Sequence, residues 1–533
     1  MSGEARAFYA MDLGVATTAV ALVGRVAGRL RLLGALSLPA GAPADAVLAA
    51  LTARFVASDP LLAAALQTES SDRWPRLMAR STPPVGLAVI AATERSLEPL
   101  VAAGQRTGWR VRSGSAERLD SLALSSLLLD RDVRTILVGA GEPAAADERN
   151  ALGSLAALAA AAASRRPELT VILTGAMAEQ APRFAAAPDR PGEVLLGPAA
   201  TAGAPPGTAL LELLGRARGG ADESRPAFAL GVRALAAALD RRVEGIEIGL
   251  DGGVRVQAGP GRTDEPGNLQ WSVHASGGLV PIEPDEASID GVLAWSTVRL
   301  DRHRTRDRLR DLRLLPWGHV TGEGAAFRLA AARAAVARLV AATPELSALP
   351  PADLLVVSGG AFAVAPGPAI ALAVADVVRR AGAVQLAYDH ARLLAPLGTI
   401  GAAPQRLAVV ADLASDLLVP LGSVIMPQGM RAGRSGGRLV VHGTAGSSEL
   451  DLLPGGLELV DLPPGETAVA EFEFRDTVRL GTRGRHFAVD VAGGLGGLLV
   501  DLRDVPLRLP DRPDRRRELL AAWQGALWIG GEP

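Results

Sequence analysis

Three apolar runs constrain the fold more than any other feature of the chain: GLAVIAAT (Gly86 to Thr93), RTILVGAG (Arg134 to Gly141) and LTVILTGAM (Leu169 to Met177). The first two are followed by helix-forming stretches, SLEPLVAAGQRTG and RNALGSLAALAAAAASRRP, and WRVRSG supplies another short strand between them. A strand that is apolar on both faces must be covered on both. A helix after each strand provides that cover, so this block predicts a parallel α/β sheet.

At 533 residues the chain exceeds what one core can organise, and roughly three to five domains or lobes are expected. Residues 1–80 read as the strands FYAMDLG, TTAVALVG and RLRLLGALSLP with the helix ADAVLAALTARFVA. The parallel block occupies 81–190, either inserted or continuing the first lobe. Residues 191–225 are rich in Gly, Ala and Pro, as in GPAATAGAPPG, and predict a loose connection. Residues 226–410 alternate helices with the strands GIEIGLDGGVRVQAG, LQWSVHASGGLVP and DLLVVSGG. From 411 to 533, short alternating segments such as GRLVVHG, TAVAEFEF and HFAVDVAG predict a β-rich domain. No fixed-period repeat suggests a solenoid.

Composition removes several chemistries. There is no cysteine, hence no disulfide, thiolate metal site or cysteine nucleophile. There is no lysine either; all 55 basic residues are arginine, which excludes a P-loop lysine and Schiff-base chemistry. A net charge of −2 and 3% aromatics argue against nucleic-acid binding. The arginine clusters Arg299 to Arg313 and Arg512 to Glu518 are interleaved with acids and read as solvated faces or partner contacts. The apolar runs are too short and alanine-rich to span a bilayer, and the first residues lack the order of a secretory signal, so a cytoplasmic protein without membrane contact is expected.

Three glycine-bearing strand ends could carry chemistry. In MDLGVATTAV (Met11 to Val20), Asp12 closes one strand and Thr17 and Thr18 open the next. Such a turn can aim backbone N–H groups and hydroxyls at a phosphate while the carboxylate orients hydrated magnesium; it can equally be a plain hairpin. In LLVVSGGAFAVAPG, Gly359 and Gly360 follow a buried strand and precede a helix, which permits close approach of a nucleotide but is also ordinary strand-to-helix geometry. In ILVGAGEPAAADERN, with Glu142 in the turn, the structural reading is preferred. The six histidines are scattered without a zinc-binding spacing, and the pair Asp389 and His390 reads as a cap or a buried hydrogen-bonded pair.

Taken in order, these pieces resemble the MutL family associated with glutamate mutase, within the actin, sugar-kinase and heat-shock-chaperone ATPase superfamily. DLGVATT is similar to a first phosphate motif, DxGSxxT, and GLAVIAAT stands where a following strand is expected. ILVGAGEPAAADERN and VILTGAMAEQ resemble the next glycine turn and strand. The segment from LLVVSGG to LAPLGTIG, and GGLGGLLVDLRDVPLRLP followed by Trp523, are the most specific matches. The resemblance implies a two-lobed actin-like ATPase with ribonuclease H-like lobes and a C-terminal β-rich domain. It implies ATP or ADP with magnesium, Asp12 orienting metal and water, Gly14, Thr17 and Thr18 cradling phosphate, and Gly359 and Gly360 bordering the adenosine. A second phosphate motif falls at EIGLDGG, where Glu247 would stand for the catalytic aspartate and Gly249 for the first glycine. There the paired threonines are replaced by Gly252 and Gly253, which implies weak hydrolysis at most. The implied function is that of a chaperone-like accessory protein reactivating an adenosylcobalamin-dependent mutase. The alternatives are a pseudo-ATPase scaffold and a small-molecule kinase, the latter lacking any evident catalytic base.

Overall fold

A computed structural model describes residues 7–66, 74–141, 144–185, 193–201, 206–220, 223–261, 269–282, 284–431, 434–444, 446–503 and 505–527. Glu142 therefore lies outside the described residues. The chain forms two compact units: Met1–Ser81 with Ser224–Trp271 and Ser276–Pro533, and Thr82–Glu223 with Ser272–Ala275.

The first unit opens with an antiparallel meander, β1 (Ala7–Leu13), β2 (Thr17–Val26) and β3 (Arg29–Pro39). The helices α1 (Ala44–Ser58) and α2 (Pro60–Leu66) follow, and β4 (Arg76–Arg80) returns parallel to β1, giving the sheet order β3-β2-β1-β4. Side chains alternate across a strand. Ala7, Tyr9 and Met11 therefore share one face and pack with Val47, Leu51 and Phe55 of α1, which leaves Asp12 on the other face.

The second unit contains β5 (Gly86–Ala91), α3 (Glu94–Arg106), β6 (Arg110–Ser115), α4 (Ser121–Leu128), β7 (Val133–Gly139), α5 (Ala146–Arg165), β8 (Thr170–Thr174), α6 (Ala181–Ala185), β9 (Glu193–Gly197) and α7 (Thr208–Gly219). Its sheet is parallel throughout, in the order β6-β5-β7-β8-β9. The strand residues from Leu87 to Ala91 are fully buried, as a sheet covered on both faces requires. The stretch expected as a loose connection, 191–225, carries β9 and α7 of this unit; its high Gly and Pro content hid a five-residue strand and a helix.

The chain re-enters the first unit through α8 (Ser224–Leu239), β10 (Val243–Ile248) and β11 (Gly253–Ala258), followed by β12 (Leu269–His274), whose residues from Ser272 on belong to the second unit. Next come α9 (Glu286–Trp295), α10 (Arg302–Leu314), α11 (Gly322–Ala341), α12 (Pro344–Ser347), β13 (Leu354–Ser358), α13 (Gly367–Val377), β14 (Gly382–Tyr388), α14 (Leu394–Gly398) and α15 (Ala403–Leu417). The remainder is β15 (Val419–Met426), β16 (Gly437–Gly443), β17 (Gly446–Leu452), β18 (Leu457–Val460), β19 (Thr467–Leu480), β20 (Thr482–Ala492), β21 (Leu498–Asp501) and α16 (Pro513–Gly525).

The large sheet runs β12-β11-β10-β13-β14-β15-β21-β18. Its beginning repeats the order of the first sheet: a hairpin, β10 and β11, with the next strand beside β11, and β13 added parallel to β10. β14 then adds parallel to β13. Counted from each first strand, the orders are 3-2-1-4 and 3-2-1-4-5, the ribonuclease H-like arrangement expected for the paired halves of an actin-like ATPase. β15, β21 and β18 extend this same sheet, so 411–533 is not a self-contained β domain; only β17-β16-β19-β20 form a separate antiparallel sheet. In β19, Ala468, Ala470, Phe472 and Phe474 are buried while Thr467, Glu471 and Glu473 are exposed, the alternation visible in TAVAEFEF. Among the described residues no helix is long and apolar enough to cross a membrane.

Candidate functional site

Asp12 and Glu247 hold equivalent places in the two half-sheets. Each is the penultimate residue of its strand, and each pairs with the residue seven positions on, Asp12 with Ala19 and Glu247 with Val254. The turns close identically: Gly14 N–H donates to Thr17 O at 2.8 Å, and Gly249 N–H donates to Gly252 O at 2.9 Å. Thus DLGVATT and EIGLDGG are two copies of one hairpin, with Gly252 and Gly253 at the places of Thr17 and Thr18.

One cleft within the first unit brings both turns together, lined by Asp12, Gly14 and Thr17, by Glu247 and Gly249, and by Gly360. Gly359 and Gly360 join β13 to the chain that follows. Gly359 has φ +102° and ψ 162°, a region open essentially to glycine, and a Cβ there would lie 2.3 Å from Ile248 O. The glycine thus lets this junction press against the end of β10. A Cβ on Gly360 would lie 3.3 Å from Thr17 Oγ1 and 3.5 Å from Arg392 Nη2, so its missing side chain keeps the cleft open.

Thr18, expected beside Thr17 at the phosphate, does not line the cleft; it is buried on the opposite face of β2, because successive residues of a strand point apart. The second turn has no hydroxyl to offer, and at Gly253 the packing gives the reason. A Cβ on Gly253 would meet Gly277 O at 2.8 Å and Glu247 O at 2.9 Å, and one on Gly278 would meet Gly252 N at 2.4 Å. Backbone fills the space that a side chain at Gly253 would need.

Four further residues complete the site. Helix α8 begins with Ser224 and Arg225, which reach the two acids: Ser224 Oγ donates to Asp12 Oδ1 at 3.2 Å, and Arg225 Nε lies 3.9 Å from Glu247 Oε2. Arg392 donates through Nη1 to Thr17 Oγ1 and lies 3.8 Å from Asp12 Oδ2. Arg328 of α11 donates to Pro316 O at 2.5 Å and to Gly360 O at 3.2 Å, and burial brings its guanidinium down to about 10, still charged at neutral pH. Nothing local in the sequence marked these residues, since their role depends on strands and helices far apart in the chain. The nearest signal is DHAR, where an arginine follows the Asp–His pair by two positions.

Asp389 shapes the turn that presents Arg392. Its carboxylate accepts Leu393 N–H at 2.8 Å, Leu394 N–H at 3.3 Å and Ser358 Oγ–H at 3.1 Å. Arg392 sits at φ +52°, uncommon for a side chain this large, with its own N–H donating to Asp389 O at 3.2 Å. Complete burial is the main force raising the Asp389 carboxyl to about 6; the three donors oppose the rise and the Asp12 charge adds to it.

The cleft therefore presents two carboxylates and three guanidinium groups, an excess of positive charge. Arg392 Nε and Nη2 and Arg328 Nε are buried and make no hydrogen bond among the described residues. Donors of this kind suit phosphate oxygens. A divalent cation fits poorly, because the guanidinium of Arg392 already stands between Thr17 and Asp12. Among the described residues no three His, Asp or Glu side chains gather as metal ligands.

No protein-family model and no curated protein matches the sequence. Solved structures that align with it include a nucleotide-free acetone carboxylase, at 10% identity and TM-score 0.31 over 83% of this chain and 80% of that one. Component A of (R)-2-hydroxyglutaryl-CoA dehydratase from Acidaminococcus fermentans aligns at 8% identity and TM-score 0.26 over 75% of this chain and 98% of that one. A type IV pilus biogenesis complex, PilM-PilN, aligns at 13% identity and TM-score 0.24 over 76% and 98%. These superpositions are too loose to assign an activity, and the fold rests on the strand order described above.

Proposed function

We propose that this chain is a nucleotide-binding protein of the actin-like ATPase architecture, acting as a chaperone-like accessory protein that reactivates an adenosylcobalamin-dependent mutase. The observation that carries the nucleotide part is the duplicated turn: two hydrogen-bonded copies of one acid-x-Gly hairpin converge, with Gly360, on a cleft lined by buried guanidinium donors. The mutase part is supported by the resemblance of the segment from LLVVSGG to LAPLGTIG and of GGLGGLLVDLRDVPLRLP. A nucleotide held between paired halves would bias their closure and so change the surface offered to a partner.

Calorimetric titration with ATP and ADP tests the first part. Binding is expected in the parent and loss of about tenfold or more in Gly360→Val, whose side chain would fill the cleft beside Thr17 and Arg392. No heat with either nucleotide at millimolar concentration would refute it. The second part is tested by adding the protein and ATP to an adenosylcobalamin-dependent mutase inactivated by turnover, where recovery of activity is expected.

A second reading, a pseudo-ATPase interaction scaffold, is favoured by one observation: the second hairpin has glycine, and so no hydroxyl, at both Gly252 and Gly253. Phosphoryl transfer depends on positioned groups around the transferring oxygens, and half of them are missing here. The accessory reading requires that nucleotide binding, rather than rapid hydrolysis, drives the change; the scaffold reading requires that mutase contact be indifferent to nucleotide.

A further inference from the structure

We propose that the cleft holds the phosphates of its nucleotide by arginine, with Arg392 in the place of a divalent cation, so that binding needs no magnesium. This deepens the nucleotide reading above and rests on it.

The argument begins with Asp12. In an acid-x-Gly hairpin, a carboxylate facing a phosphate is repulsive unless a positive charge lies between them. A hydrated magnesium ion is the usual solution, but it keeps most of its waters in a strict octahedron and needs space on the phosphate side of the acid. Here that side is taken. Arg392 is 3% exposed, lies 3.8 Å from Asp12 Oδ2, and bonds Thr17 Oγ1 through Nη1. A divalent cation placed there would meet a guanidinium at contact distance.

The remaining donors of Arg392 are not used by Thr17 or Asp12. Nε and Nη2 are buried without a hydrogen-bond partner among the described residues, and Nη2 lies 3.5 Å from where a Gly360 Cβ would stand. Two nitrogens of one guanidinium form a fork that matches two oxygens of a phosphate. Arg328 adds a second buried cation on the same side, with Nε likewise unpartnered. Arg392 is also rigidly presented: the turn carrying it is capped twice by the Asp389 carboxylate. Glu247, the other acid of the cleft, lies by the Arg225 guanidinium, so each carboxylate has a guanidinium close to it.

The test is calorimetric titration of the full-length protein with ATP and with ADP, once in EDTA and once with magnesium in excess. Affinity in EDTA is expected within about threefold of that in magnesium. Arg392→Met should weaken binding in EDTA by about tenfold or more, the loss expected for a charge-assisted fork. Asp12→Asn should strengthen it, because the carboxylate competing for Arg392 is gone. A metal-orienting Asp12 predicts the reverse, loss in Asp12→Asn with magnesium present. Binding that appears only with magnesium overturns the arginine assignment while leaving nucleotide binding intact; no binding under either condition overturns both. The two conditions are compared on the parent protein, so the result stands even where a variant fails to fold.

Discussion

Replacing Asp389 by Asn isolates the energetic cost of the buried carboxylate beneath the Arg392 turn. Its proton is held to about 6 in the folded chain against an ordinary 3.8, chiefly because burial disfavours the charged form. Between those values the folded state binds more protons than the unfolded one, so stability falls as pH rises through this window and is level above about pH 6. The difference is worth about 3 kcal/mol. Asn has no proton to release, so its own contribution is flat. Its carbonyl can still accept from Leu393 and Leu394, though the three donors at the site then share one acceptor oxygen. The variant is therefore expected to gain about 3 kcal/mol relative to the parent between about pH 3 and pH 7, whatever the offset at the acid end. Carboxylates that do not interact with Asp389 are common to both proteins and cancel; Asp12 does interact with it. Urea unfolding of both across a pH series reads this difference, compared transition by transition because two compact units need not melt together. A difference that stays constant with pH to within about 0.5 kcal/mol would refute the assignment of the proton to Asp389. Adding Asp12→Asn to both proteins should shrink the gain, because the Asp12 charge contributes to the raised value.

Two further perturbations test the scaffold around the cleft. Gly359→Ala should cost about 3 kcal/mol or more in urea unfolding, since it forces a side chain into φ +102° and against Ile248 O; a cost below about 1 kcal/mol would mean the junction is not pressed on β10. Arg503 pairs with Asp501 through Nε at 2.8 Å and Nη2 at 2.6 Å, lies 2.7 Å from Asp376, and stacks 4.5 Å from the Trp523 ring. Arg503→Met should therefore lower stability by about 3 to 5 kcal/mol and raise the susceptibility of α16 to proteolysis; an unchanged cleavage pattern would sink the idea that this arginine anchors the helix.

The hairpins were legible because a strand carries its own period. MDLGVATT and EIGLDGG can be aligned by eye, and the register of Asp12 with Ala19 and Glu247 with Val254 follows from turn length alone. The parallel block was legible for the same reason, its buried strands being continuous apolar runs. The arginines were not, because Arg225, Arg328 and Arg392 reach the cleft from a helix start, a helix interior and a loop, and an arginine in an alanine-rich helix such as α11 reads as solvated until its burial is seen. The allocation of β15, β18 and β21 to the large sheet was hidden likewise. β18 and β21 have only four residues each, and nothing within LLVD states that one neighbour will be a strand more than seventy residues earlier.

The asymmetry between the two turns carries the physical argument furthest. One half keeps a hydroxyl, Thr17, which accepts from Arg392; the other has glycine at both places, and at Gly253 the backbone of Gly277 and Glu247 fills the space a side chain would need. A threonine restored at Gly253 would meet the backbone of Glu247 and Gly277, so at that position the loss is fixed by at least two segments of chain at once. A site that has lost hydroxyls on one side while holding buried guanidinium groups on the other has exchanged directional groups, which stabilise a transferring phosphoryl, for charge, which stabilises a bound one. On the nucleotide-binding function proposed above, that exchange would favour retention of an intact nucleotide over its cleavage and would make the arginines, rather than the acids, the residues on which affinity depends.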